Sequence, residues 1–217
     1  MNPGSIVVHQ APGRPARLIL LFHGVGATAD GLVPLGRLIG SAVPDSTVVS
    51  VAAPNPSFNP GGREWFSVAG VTEANRPGRV EQALPSFLAE VRSWQESTGV
   101  DAVGTTLVGF SQGAIMSLEA GLTAASPAAG IVAIAGRFAR LPERAPADVA
   151  MHFIHGRDDG IIACEHAIDA AQRLRSFGAT VTLDVVPNAG HEINRRMAEL
   201  AVERLQGGVA ESARPAA

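Results

Sequence analysis

The stretch "TTLVGFSQGAIM", residues 105–116, passes from a β-branched apolar run through a serine flanked by glycines into a second apolar run with helical spacing. Thr105–Phe110 reads as a strand buried on both faces, and Gln112 as the start of a helix. A chain that turns from strand to helix within one residue forces that residue into a strained conformation. The residues two before and two after then pass close to neighbouring backbone, which glycine tolerates best. Gly109-Phe110-Ser111-Gln112-Gly113 meets that steric demand and has the G-x-S-x-G form of a nucleophile elbow. With 24 glycines in the chain the spacing alone can arise by chance, so the rest of the sequence has to decide between a nucleophile and a glycine-rich turn.

Outward from the elbow, strand-like and helix-like segments alternate. Apolar, β-branched runs fall at Ser5–His9, Leu18–Phe22, Thr47–Val51, Thr105–Phe110, Gly130–Ala135, Met151–Ile154 and Thr180–Val186. Helical patterns start near Gly31, Gln112, Glu165 and His191. Another puts Val80, Leu84, Phe87, Leu88, Val91 and Trp94 on one face, with Pro85 expected to start or kink part of it. The alternation predicts an α/β fold, with a mostly parallel sheet of about seven strands flanked by helices on both faces. In such sheets sites collect at the carboxyl ends of the strands. Residues 1–206 are expected to form one domain and 207–217 a flexible tail. Ala53–Arg79, with its four prolines, reads as a long loop near the site.

The balance of charge excludes several partners. Formal net charge is −3, charged residues are 17% and there is no basic block, so nucleic acid is not expected. The single cysteine, Cys164, rules out an internal disulfide framework and a cysteine-built metal site, and fits a reducing, cytoplasmic setting. The N-terminus lacks the charged start of a signal peptide. The longest apolar stretch of that segment, Leu18–Phe22, is far short of the ~20 residues of a membrane span. A soluble protein is expected.

A serine hydroxyl needs a base to take its proton. Of the six histidines, His9 and His152 lie in strand runs, and His166 sits at a helix start. His23 and His155 each precede a glycine at a strand end, where an imidazole anchors a loop. His191, in "VVPNAGHEI", follows a strand and lies in a loop, and is the candidate base. The acid that orients it is expected just beyond the strand Met151–Ile154, where "HGRDDG" supplies Asp158 and Asp159. Spacing favours Asp159 and leaves Asp158 as the alternative. The order Ser, Asp, His is that of α/β-hydrolases. For the oxyanion, the backbone N–H of Gln112 opens the helix, and Val25 in the loop "LLFHGVGATADG" is the second candidate donor. Gly24, Gly26 and Gly31 do not make G-x-G-x-x-G, which argues against a dinucleotide fold.

The segments "LLFHGVGA", "GREWFSVAGVTEANR", "GFSQGAIMSLE", "HGRDD" and "GHEI" together resemble the phospholipase/carboxylesterase family of α/β-hydrolases, which includes the acyl-protein thioesterases. The resemblance runs from about Ser5 to about Leu205. It implies a nucleophile at Ser111, an acid at Asp159, a base at His191 and oxyanion amides at Val25 and Gln112. It also implies that Trp65 and Phe66 line the acyl or alcohol pocket. Where the family usually has proline after the acid, this chain has Gly160, which keeps Asp158 open. The expected function is hydrolysis of small, uncharged, short-acyl esters, with no metal and no cofactor, by a monomer or homodimer. Thioesterase, amidase or acyltransferase chemistry on the same residues is the first alternative, and a non-catalytic binding protein on this scaffold is the second.

Overall fold

In the computed structural model, which describes residues 1–211, a seven-stranded sheet is assembled in the order β1-β3-β2-β6-β7-β8-β9. Its strands are β1 (Ile6–His9), β2 (Arg17–Phe22), β3 (Ser46–Val51), β6 (Thr105–Phe110), β7 (Gly130–Ile134), β8 (Ala150–Gly156) and β9 (Val181–Val186). All neighbours pair in parallel except β1, which runs antiparallel to β3. The helices are α1 (Val33–Ala42), α2 (Arg76–Thr98), α3 (Gln112–Gly121), α4 (Glu165–Ser176) and α5 (Arg195–Glu211).

The continuous apolar runs have a direct cause. Successive side chains of a strand point to opposite faces, and both faces are covered here. Leu18, Leu20 and Phe22 of β2 pack under α2, α3 and α4, together with Leu107, Phe87 and Met116. Ile19 and Leu21 face the other way, against Leu35 and Ile39 of α1 and Met197 and Ala201 of α5. Among the described residues no helix is long and apolar enough to cross a membrane.

Four boundaries differ from those expected. Ala53–Arg79 is not wholly irregular: β4 (Asn55–Pro56) and β5 (Arg63–Glu64) form a small antiparallel hairpin, and α2 already begins at Arg76. Asn75 and Thr72 hydrogen-bond each other's backbone amides ahead of that start, and Pro77 in the first turn gives up no needed donor. Pro85 neither starts nor ends α2. It lies on the exposed side, where the Glu81 carbonyl left without a helical partner can turn to water. Helix α5 starts at Arg195 rather than near His191, with Asn194 Oδ1 accepting from the Met197 amide. The tail expected from Gly207 begins inside α5, which runs to Glu211, and its remainder, 212–217, lies outside the described residues.

Candidate active site

The site is built where β2, β6, β8 and β9 end. Ser111 sits between β6 and α3 with φ 52° and ψ −115°, the strained corner that the spacing of the glycines predicts. The glycines there are required sterically. A Cβ at Gly113 would overlap the Phe22 carbonyl oxygen, and one at Gly109 would overlap the Ala114 amide. A Cβ at Gly24 would come 3.1 Å from that of Ser111, so the β2 loop can lie directly beside the serine.

Three distant side chains meet at this corner. Ser111 Oγ lies 2.8 Å from His191 Nε2, and His191 Nδ1 lies 2.8 Å from Asp159 Oδ2. An ionised carboxylate only accepts, so Nδ1 carries the proton and Nε2 is left to accept from the serine hydroxyl. The ring of Phe110 packs 5.1 Å from the imidazole. The other oxygen of Asp159 accepts from the amides of Ile161 and Ile162 at 2.8 and 2.9 Å. Burial alone would push this carboxyl up, but the bonds from His191 and these two amides outweigh it and hold it below the usual range. Asp158 is exposed, and its amide donates to the Ala189 carbonyl. Asp159, not Asp158, is therefore the carboxylate at the imidazole.

The loops bearing Asp159 and His191 are joined to each other. Arg157 N donates to Val186 O, and Asp158 N donates to Ala189 O, extending the β8–β9 ladder beyond the strands. His155 closes the group from beneath. Its Nε2 lies 2.8 Å from Ile162 O and 3.2 Å from Asp159 Oδ2, so it carries the proton and the ring anchors the Asp159 loop, as a histidine before a strand-end glycine was expected to do. Burial pushes its pKa down. His23 acts likewise at the end of β2, with Nδ1 donating to Gly24 O and Nε2 accepting from Ala53 N. Its pKa is also lowered, chiefly by burial.

Val25 and Gln112 both border the cavity that holds Ser111. Gln112 is the first residue of α3, so its N–H is among the donors a helix leaves without an internal partner. The side chain of Gln112 does something the sequence did not disclose. Its Oε1 accepts from Trp65 N at 2.8 Å and its Nε2 donates to Phe66 O at 2.7 Å, clamping the aromatic loop to the elbow.

Those two aromatics part company. Phe66 lines the cavity beside Ser111. Trp65 does not: its ring is buried against Phe22 and Phe87, and Nε1 donates to His23 O at 3.0 Å. The chain bends at both residues just after β5, and there the two rings take different sides, Trp65 into the core and Phe66 onto the cavity. The implied role of Trp65 in the pocket is thus corrected to that of a core anchor beneath it.

The cavity measures about 740 Å³. Val68, Val71, Ile115 and Ile162 supply apolar wall, and Phe58 and Ile161, both largely exposed, stand at its border. Four polar side chains complete it: Glu73, Arg76 and Arg137, which the sequence did not single out, and His166, which it set aside as a residue at a helix start. Among the described residues, no group of three or more His, Cys, Asp or Glu side chains is arranged to hold a metal ion.

Comparison with known proteins agrees with this architecture. Residues 3–207 match the family model described as Phospholipase/Carboxylesterase. The chain is 45% identical over 200 residues to the esterase YpfH of Escherichia coli, covering 92% of this chain and 86% of that one. It is 24% identical over 201 residues to an acyl-protein thioesterase 1 of Neurospora crassa, covering 83% of this chain and 82% of the relative. Among solved structures, esterase PE8 superposes with a TM-score of 0.85 at 27% identity, over 95% of this chain and 99% of its own. A carboxylesterase of Bacillus cereus, with a TM-score of 0.78 at 19% identity over 94% and 93% of the two chains, shares the fold. The chain belongs to the phospholipase/carboxylesterase family and is an esterase-type α/β-hydrolase.

Proposed function

We propose that the protein hydrolyses carboxylic esters through an acyl-enzyme formed on Ser111. The observation that carries this reading is the unbroken line from Ser111 Oγ through the His191 imidazole to Asp159, with both links at 2.8 Å. Ser111 Oγ attacks the ester carbonyl carbon while His191 Nε2 takes its proton, and Asp159 holds the tautomer and stabilises the imidazolium. The oxyanion of the tetrahedral intermediate accepts from the amides of Val25 and Gln112, fixed before charge develops. Collapse expels the alcohol, which leaves with the proton held by His191. Water then attacks the acyl-enzyme, giving its proton to the same nitrogen, and the acid departs as Ser111 regains its hydrogen.

Phe66, Val68 and Ile115 border the cavity as apolar contacts for the acyl or alcohol part of the substrate. Thioester hydrolysis is the second reading, favoured by the relative named as an acyl-protein thioesterase. It runs through the same intermediate with a thiol as leaving group. A fluorophosphonate probe should label Ser111 alone, read by peptide mass spectrometry, and Ser111→Ala should abolish labelling. Active enzyme that takes no label there would end this reading. A panel of p-nitrophenyl esters and acyl thioesters of matched acyl length separates the two substrate classes.

A further inference from the structure

The same cavity carries a charged group that acyl transfer does not use. Arg137 follows β7, next to Gly136, which packs against Ala114 and the Ser111 carbonyl. Its guanidinium reaches Glu73 through both terminal nitrogens, at 2.8 and 3.1 Å, the paired geometry of a carboxylate on an arginine fork. Arg76 donates to the same carboxylate at 2.7 Å. The two arginine side chains are only 12% and 18% exposed, whereas Glu73 is 66% exposed. Arg76 Nε is buried and has no hydrogen-bond partner among the described residues. His166 adds no charge here: its Nε2 lies 3.0 Å from the Arg137 terminal nitrogen that also reaches Glu73, a pure donor, so the imidazole accepts. Two inward cations thus share one outward carboxylate. The other carboxylate bordering the cavity, Asp159, is engaged by His191 and two amides.

From this we infer that Arg76 and Arg137 form a subsite for a carboxylate on the substrate, so that the preferred ester carries a free acid group away from the scissile bond. The inference rests on Ser111 being the nucleophile of that cavity. It departs from the uncharged ester expected from the sequence. A buried guanidinium N–H left unpaired is costly, and the two guanidinium forks match the planar geometry of a carboxylate. Glu73 shows what such an anion looks like in place. Being exposed and on the segment before α2, it can swing out to water when substrate arrives.

The test compares kcat/KM for monoethyl esters of glutaric, adipic and pimelic acids with ethyl esters of the monocarboxylic acids of equal chain length, followed by pH-stat. A second arm places the acid in the alcohol, as the acetyl ester of a hydroxybutanoate against butyl acetate. Wild-type enzyme should favour the acidic member of at least one pair by about 10-fold or more, the scale of a charge-assisted hydrogen bond. That ratio should shrink with added salt and fall toward one in Arg76→Gln, while Glu73→Gln should raise it. The neutral ester, measured on each variant, separates loss of preference from loss of fold. A wild-type ratio at or below one for every pair would overturn the subsite, and needs no variant. Neutral esters still cleaved by Ser111→Ala would instead overturn the nucleophile assignment, which is a different failure.

Discussion

The cavity wall that carries Ser111, His191 and Asp159 and the wall that carries Arg76, Arg137 and Glu73 are held by different means. The first hangs from strand ends. Its positions are set by close backbone approach at Gly109 and Gly113, and by two amides on one oxygen of the buried Asp159 and two imidazoles on the other. The second is made of long side chains from separate segments, meeting at a carboxylate that is mostly in solvent, with one guanidinium nitrogen left over. On the proposed reading, this fold fixes chemistry with main chain and leaves selection to side chains. Substitutions on the first wall should cost turnover. Those on the second should change which substrate is turned over.

The comparison breaks most sharply at the serine. Ser111→Ala should lower kcat by about 10⁶-fold, the scale seen when a triad nucleophile is removed, with little change in thermal midpoint. A loss of only a few fold, by steady-state assay on any ester, would leave the first wall without its proposed task. Asp159→Asn should lower kcat by about 10⁴-fold, because an amide no longer enforces the tautomer. Asp158→Asn, one residue away and exposed, should stay within about twofold of wild type if surface changes behave normally here.

Gln112→Ala sharpens the comparison, since this residue belongs to both walls. It keeps the α3 amide but strips the partners from Trp65 N and Phe66 O. Each buried group left unpaired costs about 1–3 kcal/mol. Denaturant melts should register that loss, and KM should rise as Phe66 comes adrift.

The smallest effect is on stability against pH. His23 and His155 both have values pushed below 6.5 by burial. In the unfolded chain they take up protons at a higher pH than in the folded one. Their contribution is therefore present above pH 6.5 and lost as pH falls below it. Asp159, held below its ordinary 3.8, adds a second loss only under more acid conditions, below that value. Thermal midpoints measured from pH 8 to 3 should fall in two stages. A midpoint that rises between pH 7 and 5 would show the buried imidazoles to be charged in the fold.

Much of the first wall was readable in the sequence because backbone geometry leaves marks on it. The elbow shows as a change of period at a fixed glycine spacing. Asp159 and His191 show as polar residues just past apolar runs, and burial on both faces shows as runs such as Leu18–Phe22 without alternation. What could not be read depends on pairs far apart in the chain. Arg137 meets Glu73 across 64 positions, and Gln112 meets Trp65 across 47, so neither contact has a local signature. Trp65 was misplaced because likeness transfers a pair of residues without saying which of two neighbours turns inward. The beginnings of α2 and α5 were missed for a smaller reason: Asn75 and Asn194 look like loop residues until their side chains are seen engaging backbone amides.

Strand β9 is the outermost of its side of the sheet, pairs among the described residues only with β8, and is half-buried along most of its length. The loop bearing His191 follows directly from it, whereas the serine corner follows an interior strand. Edge segments open at lower free energy than the whole molecule. On slow warming, catalysis should thus fade reversibly while circular dichroism still reports an intact fold, with amide exchange at Val181–Val186 rising in step and that at Thr105–Phe110 unmoved.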